Sequence, residues 1–157
     1  MMTTNNPAQF FKTLIIIYVA MLVGQLLFGG LIWWLLQQQE TKSAGIFSGS
    51  GLLVMLVVGC AALISLILNR SRSEKGADLK GLPQKLMHYR TTCIFRWAFL
   101  EMGNMVAIIF AFLDQNSTLL LFFALGIGLF LLARPSNVQF AEMYHLTPNE
   151  EQEILPG

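Results

Sequence analysis

Four long apolar runs divide this chain, and they constrain its fold more than any other feature. They cover residues 14–36, 51–68, 93–113 and 118–133. A helix that crosses a bilayer core needs about 20 predominantly apolar residues, with a range of roughly 17–25. The first three runs meet that length, and the fourth needs a few flanking residues to do so. In lipid no water is present to satisfy backbone N–H and C=O groups, so each run has to be helical. The composition points the same way. Hydrophobic residues make up 55% of the chain and charged residues 12%, about half the charged share of an ordinary soluble domain. The expected fold is all-α, a four-transmembrane-helix bundle made of two hairpins. Its helices are placed at about 14–36, 51–69, 83–113 and 118–134. Residues 1–13 and 135–157 are expected to flank this membrane domain of 14–134 in the cytoplasm.

The first run is expected to remain as a helix rather than to be cleaved as a signal. Lys12 precedes it, but a signal core spans only about 7–15 apolar residues and is followed by a small-residue cleavage site. Ahead of the third run, Pro83 suits a first helical turn, so Lys85, His88 and Tyr89 are expected on a wet extension of the third helix. The tail from Ser136 is expected to form one or two short helices. Thr147, Pro148 and Glu150 have the spacing of a capping box.

Orientation follows from the basic residues. Arg70, Arg72, Lys75, Lys80, Lys85 and Arg90 crowd the segment between the second and third runs. Lys12 and Arg134 belong to the same side, and the other two connections offer only Lys42. The positive-inside rule then places both termini and the basic segment in the cytoplasm. Trp33 and Trp34 fall at the outer interface, where amphipathic rings are favoured. The basic segment, Arg70 to Arg90, is expected to touch anionic lipid. A net charge of +1 gives no field that would recruit nucleic acid.

Few residues could carry chemistry. Glu101 lies about 12 Å into the third run at 1.5 Å per residue, and an ionisable group at that depth is a functional-site hypothesis by default. Asn104, three residues on, shares its face. Gln25 stands at similar depth in the first run, so Gln25, Asn104 and Glu101 are expected to form one intramembrane polar cluster. Arg96 lies nearer the cytoplasm and is expected to snorkel to the headgroups; it sits about 140° around the helix from Glu101, which makes their pairing awkward. Small residues recur at helical spacing in Ala20/Gly24, Gly103/Ala107/Ala111 and Ala124/Gly128, as close helix packing requires. Laying the first run over the third matches Gly24-Gln25 to Gly103-Asn104, a faint parallel repeat.

Cys60 and Cys93 are expected at different depths, as two small buried side chains with no bridge. Two cysteines and two histidines so spaced form no zinc motif. Phosphate-binding loops, nucleophile elbows and HExxH patterns are all missing from the sequence, so neither a cofactor nor soluble-type catalysis is expected. Asn116-Ser117-Thr118 reads as a chance glycosylation sequon at a membrane boundary.

The stretch from Leu86 to Glu101, with Tyr89-Arg90 and then Arg96-Trp97-Ala98-Phe99-Leu100-Glu101, resembles a family of small, uncharacterised four-helix integral membrane proteins of Bacteroidetes-type bacteria. That family shows R-W-A-x-x-E in its third helix and R-P-[ST] after its fourth, here Arg134-Pro135-Ser136. The resemblance covers most of the chain. It implies the architecture of a multi-pass protein of the bacterial inner membrane and little chemistry; the expected role, an accessory or scaffold subunit in a homo-oligomer or membrane complex, rests on the helix-packing features above. A weaker likeness is to the four-helix proteolipids of rotary ATPases, from which the chain departs in its sparse glycines, its fourth run without a carboxyl and its long basic segment, and to small multidrug transporters, whose membrane Glu is on the first helix where this chain has Gln25. Neither likeness carries over a site, and the alternative expectation, a proton- or cation-coupled component, rests on the midmembrane Glu101 itself.

Overall fold

In the computed structural model, which describes residues 7–39, 45 and 49–154, the chain is all-helical with no strand among the described residues. Three helices are long and apolar enough to cross a membrane: α1 (Pro7–Gln37), α2 (Gly51–Ala77) and α3 (Leu82–Leu113). A 3₁₀ turn, Ser117–Leu119, leads into the shorter α4 (Leu120–Leu132), and α5 (Asn137–Met143) and α6 (Pro148–Ile154) follow. Ser117–Leu132 and Asn137–Met143 together pass the same test of length and hydropathy, with a bend of 71° between them at the Pro135 break. Lys42 and the first six residues lie outside the described part.

α3 is the central helix. Its buried positions form a broad stripe that runs from Leu82 through Leu86, Tyr89, Cys93, Trp97, Leu100, Asn104 and Ala107 to Ala111. α1 and α2 each bury one narrow stripe, in α1 Leu14, Tyr18, Gln25, Gly29, Ile32 and Leu36 at three-, four- and seven-residue steps. Such spacing keeps side chains on one face of a 3.6-residue helix. The rest of α1 and α2 presents Leu27, Leu31, Leu56, Leu63 and Ile67 outward, as lipid-facing surfaces do.

α2 and α3 form an antiparallel hairpin in one unbroken register. Ser50 meets Asp114 at one end, and Ala61 meets Gly103 in the middle. Asn69 then meets Arg96, Arg72 meets Thr92, and Gly76 meets His88. A Cβ on Gly103 would lie 3.0 Å from the Ala61 methyl, so Gly103 permits the close approach that small residues serve in membranes. Ala107 and Ala111 are fully buried in the same seam. The other two small-residue stripes do not serve the bundle: Ala20, Gly24, Ala124 and Gly128 are exposed, and a Cβ on Gly24 or Gly128 would meet nothing within 4 Å.

α2 runs past its apolar run to Ala77, so Arg70, Arg72 and Lys75 are helical. The basic segment is therefore two helix ends joined at Asp78–Gly81, where Gly81 takes φ +90°, open to glycine without Cβ strain. The N-terminal end of α1, this connection and the tail all lie at one end of the bundle. Their shared core holds Phe11, Leu82, Leu86, Tyr89, Phe140, Tyr144 and Ile154. At the opposite end the Asp114 carboxylate accepts from the Ser50 N–H at 3.2 Å and from its hydroxyl, satisfying an orphan donor at the start of α2. Asn116 is 1% exposed, and its Oδ1 accepts from the Thr118 N–H at 3.1 Å; its carboxamide is a cap, which fits the reading of that sequon as chance. Both cysteines are free, with Cys93 buried and Cys60 exposed. The expectation of two buried thiols thus holds for Cys93 only.

Candidate functional site

Two polar layers interrupt the apolar interior. The deeper one pairs α1 with α3. Asn104 Nδ2 donates to Gln25 Oε1 at 2.6 Å, with both side chains essentially inaccessible. α4 closes over this pair only because residue 126 is glycine: a Cβ there would overlap Asn104 Oδ1. Gln25 Nε2 and Asn104 Oδ1 find no hydrogen-bond partner among the described residues. Interhelical bonds of this kind are worth about 0.6 kcal/mol on average in membranes. The pair therefore fixes the alignment of α1 on α3 more than it stabilises the bundle.

Glu101 stands apart from this pair. It lies about 60° around α3 from Asn104, at the edge of the buried face, and is half-buried. No hydrogen bond or ion pair reaches it from the described residues. Arg96 also stands apart, and the expectation that it snorkels to the headgroups is corrected. Its side chain turns inward to 6% exposure, and Nη1 donates to Asn69 Oδ1 on α2 at 2.8 Å. The cause is the α2–α3 register, which places a carboxamide within reach at that level. Of the four candidate residues, the structure brings together Gln25 and Asn104 and leaves Glu101 and Arg96 apart from them.

The second layer lies at the basic end. Arg72 Nε donates to Thr92 Oγ1 at 3.1 Å, one turn from the Arg96–Asn69 contact. Trp97 Nε1 donates to the Ala133 carbonyl at 3.0 Å and the Tyr18 hydroxyl to the Phe130 carbonyl at 3.2 Å. The Ala133 carbonyl lies past the last turn of α4, where helix carbonyls need outside donors, and the Phe130 carbonyl accepts from Tyr18 as well as from the Ala133 N–H at 3.1 Å. Tyr18 stacks on Phe130 with ring centroids 5.1 Å apart.

The tail folds onto this layer. Tyr89 Oη accepts from the Ser136 N–H at 3.2 Å, and the Tyr144 hydroxyl and His88 Nδ1 lie 2.9 Å apart. Burial pushes the Tyr144 phenol up to about 12, which keeps it protonated at neutral pH. Lys85 Nζ and Glu150 Oε2 form an ion pair at 3.1 Å. The same Glu150 carboxylate accepts from the Thr147 N–H at 2.9 Å, the reciprocal bond of a capping box.

Sequence reasoning missed the partners Asn69, Thr92, Asp114 and Gly126. Each is legible only once the register of the neighbouring helix is known. Tyr18 gave a signal in being a phenol inside an apolar run, since a buried hydroxyl needs an acceptor. Among the described residues, no group of three His, Cys, Asp or Glu side chains could hold a metal ion. No known protein family, curated protein or solved structure matches this chain.

Proposed function

We propose that this chain is a multi-pass protein of the bacterial inner membrane, acting as an accessory or scaffold subunit through helix–helix contacts. In this reading the fourth crossing is 118–134, and the basic end, the tail and both termini face the cytoplasm. The asymmetry of Lys and Arg supports that orientation, and Trp33 and Trp34, both exposed on the far end of α1, suit the other interface of the same crossing.

One observation carries the subunit role. Glu101 lies mid-helix and half-buried, with no partner inside the chain among the described residues, while the other polar groups of the bundle core bond to one another. A carboxyl at such depth costs about 2.5–3.5 kcal/mol on insertion scales. A donor on a neighbouring transmembrane helix offsets that cost, and a partner subunit is the natural source of one.

Affinity purification from native membranes tests this. The Glu101→Gln chain keeps a hydrogen-bonding side chain and is expected to retain the co-purifying partner; Glu101→Leu is expected to lose it while the isolated bundle keeps its thermal midpoint. Retention of the partner by Glu101→Leu would refute the role assigned to this carboxyl. A transport component using Glu101 is the second reading, favoured by the same unpaired carboxyl at the edge of the bundle. It demands titration, so Glu101→Gln would abolish gradient-driven flux in proteoliposomes.

A further inference from the structure

Arg96 is 94% removed from solvent by the bundle, as its 6% exposure shows, yet among the described residues its Nε has no partner and its one hydrogen bond is to the neutral Asn69. One turn away, Arg72 is likewise bonded to a neutral group, Thr92. The two ion pairs among the described residues are Arg70–Glu74 and Lys85–Glu150. Two guanidinium groups therefore occupy successive levels of the α2–α3 seam with no carboxylate on either. A buried cation without a counter-charge is among the costliest arrangements a protein can hold. A planar guanidinium with free N–H groups is matched in geometry by phosphate oxygens.

The surroundings point to an amphiphile. The Arg72 guanidinium lies over the Phe95 ring, 5.5 Å from its centroid, and Phe95 is 47% exposed on the outer surface of α3. This places an apolar lipid-facing ring beside the two cations, where the apolar run of α3 begins. We propose that Arg96 and Arg72 form a site for the phosphate group of an anionic phospholipid, with an acyl chain lying along Phe95. The site makes specific the general attraction of the basic end for anionic lipid. It rests on the membrane reading above but not on any role of Glu101.

The test uses the full chain in detergent, titrated with phosphatidylglycerol, with phosphatidylcholine of the same acyl chains, and with inorganic phosphate. Native mass spectrometry counts retained lipid, and thermal midpoints report stabilisation. One phosphatidylglycerol is expected to be retained per chain, about tenfold more tightly than phosphatidylcholine. Arg72→Gln and Arg96→Gln are each expected to weaken this about tenfold. Arg70→Gln removes the same charge from an exposed position beside Asn69, where the guanidinium already pairs with Glu74, and is expected to change nothing. Should Arg96→Gln fail to fold, the half-exposed Arg72→Gln carries the test. Equal loss in Arg70→Gln, undiminished retention in Arg72→Gln, or equal stabilisation by inorganic phosphate would each overturn the proposal. Loss of a co-purifying protein on Glu101→Leu leaves these lipid affinities untouched, so the two proposals fail separately.

Discussion

A methyl group at residue 126 would occupy the space of Asn104 Oδ1, so Gly126→Ala is expected to push α4 off the Gln25–Asn104 pair. Overpacking of this kind costs about 1–3 kcal/mol. Unfolding of the purified chain in mixed micelles would measure the loss. In an Asn104→Ala background the same substitution is expected to cost little, because the clashing atom is gone. A second residue-scale expectation concerns Glu150. Burial raises its pKa, but the Thr147 N–H and the Lys85 ammonium outweigh burial and leave it below its ordinary value of 4.5. A carboxylate lowered on folding contributes stability above its unfolded pKa and loses it as pH falls through the folded one. Protection of the α6 amides, relative to their intrinsic exchange at each pH, is therefore expected to fall as pH drops below about 4.5, and Glu150→Gln is expected to show the lower protection at neutral pH already.

Among elements, the hydropathy runs located α1 to α4 but misplaced their ends, and the reason is physical. An apolar run reports the thickness of the lipid, whereas a helix ends where its backbone loses partners. α2 continues from Leu68 through Asn69, Arg70, Ser71 and Arg72 to Ala77, because no proline interrupts it and α3 lies alongside throughout. The pairing of Gln25 with Asn104 was legible from depth alone. Arg96 was not, since its partner Asn69 belongs to the part of α2 beyond the apolar run. Glu101 was misjudged by helical geometry: three residues place it about 60° from Asn104, enough to carry it from the interior to the edge. Asp114 acts between elements, holding the first turn of α2 from the end of α3. Asp114→Ala is expected to destabilise the bundle by about 1 kcal/mol, as loss of a helix cap does, and a lowered thermal midpoint would register it.

For the molecule as a whole, the proposed orientation makes a plain prediction about sidedness. In a chain whose Cys60 and Cys93 have been replaced by alanine, Lys80→Cys and Asn149→Cys are expected to react with a membrane-impermeant maleimide only from the cytoplasmic side. Gln38→Cys is expected to react only from the other. Reaction of Lys80→Cys and Asn149→Cys from opposite sides would exclude four crossings. The α2–α3 hairpin also bears on how this protein is made. Its rungs join residues near in sequence across the short Asp78–Gly81 connection, and contacts of that kind form early. The pair is complete once Asp114 has left the ribosome, before α4 and the tail have emerged. α1 waits for α3 to supply Asn104, and α4 arrives last to cap them. Packing order thus departs from synthesis order at α1 alone, and chains arrested where Asp114 has just left the ribosome are expected to form α2–α3 cysteine cross-links in the insertion machinery.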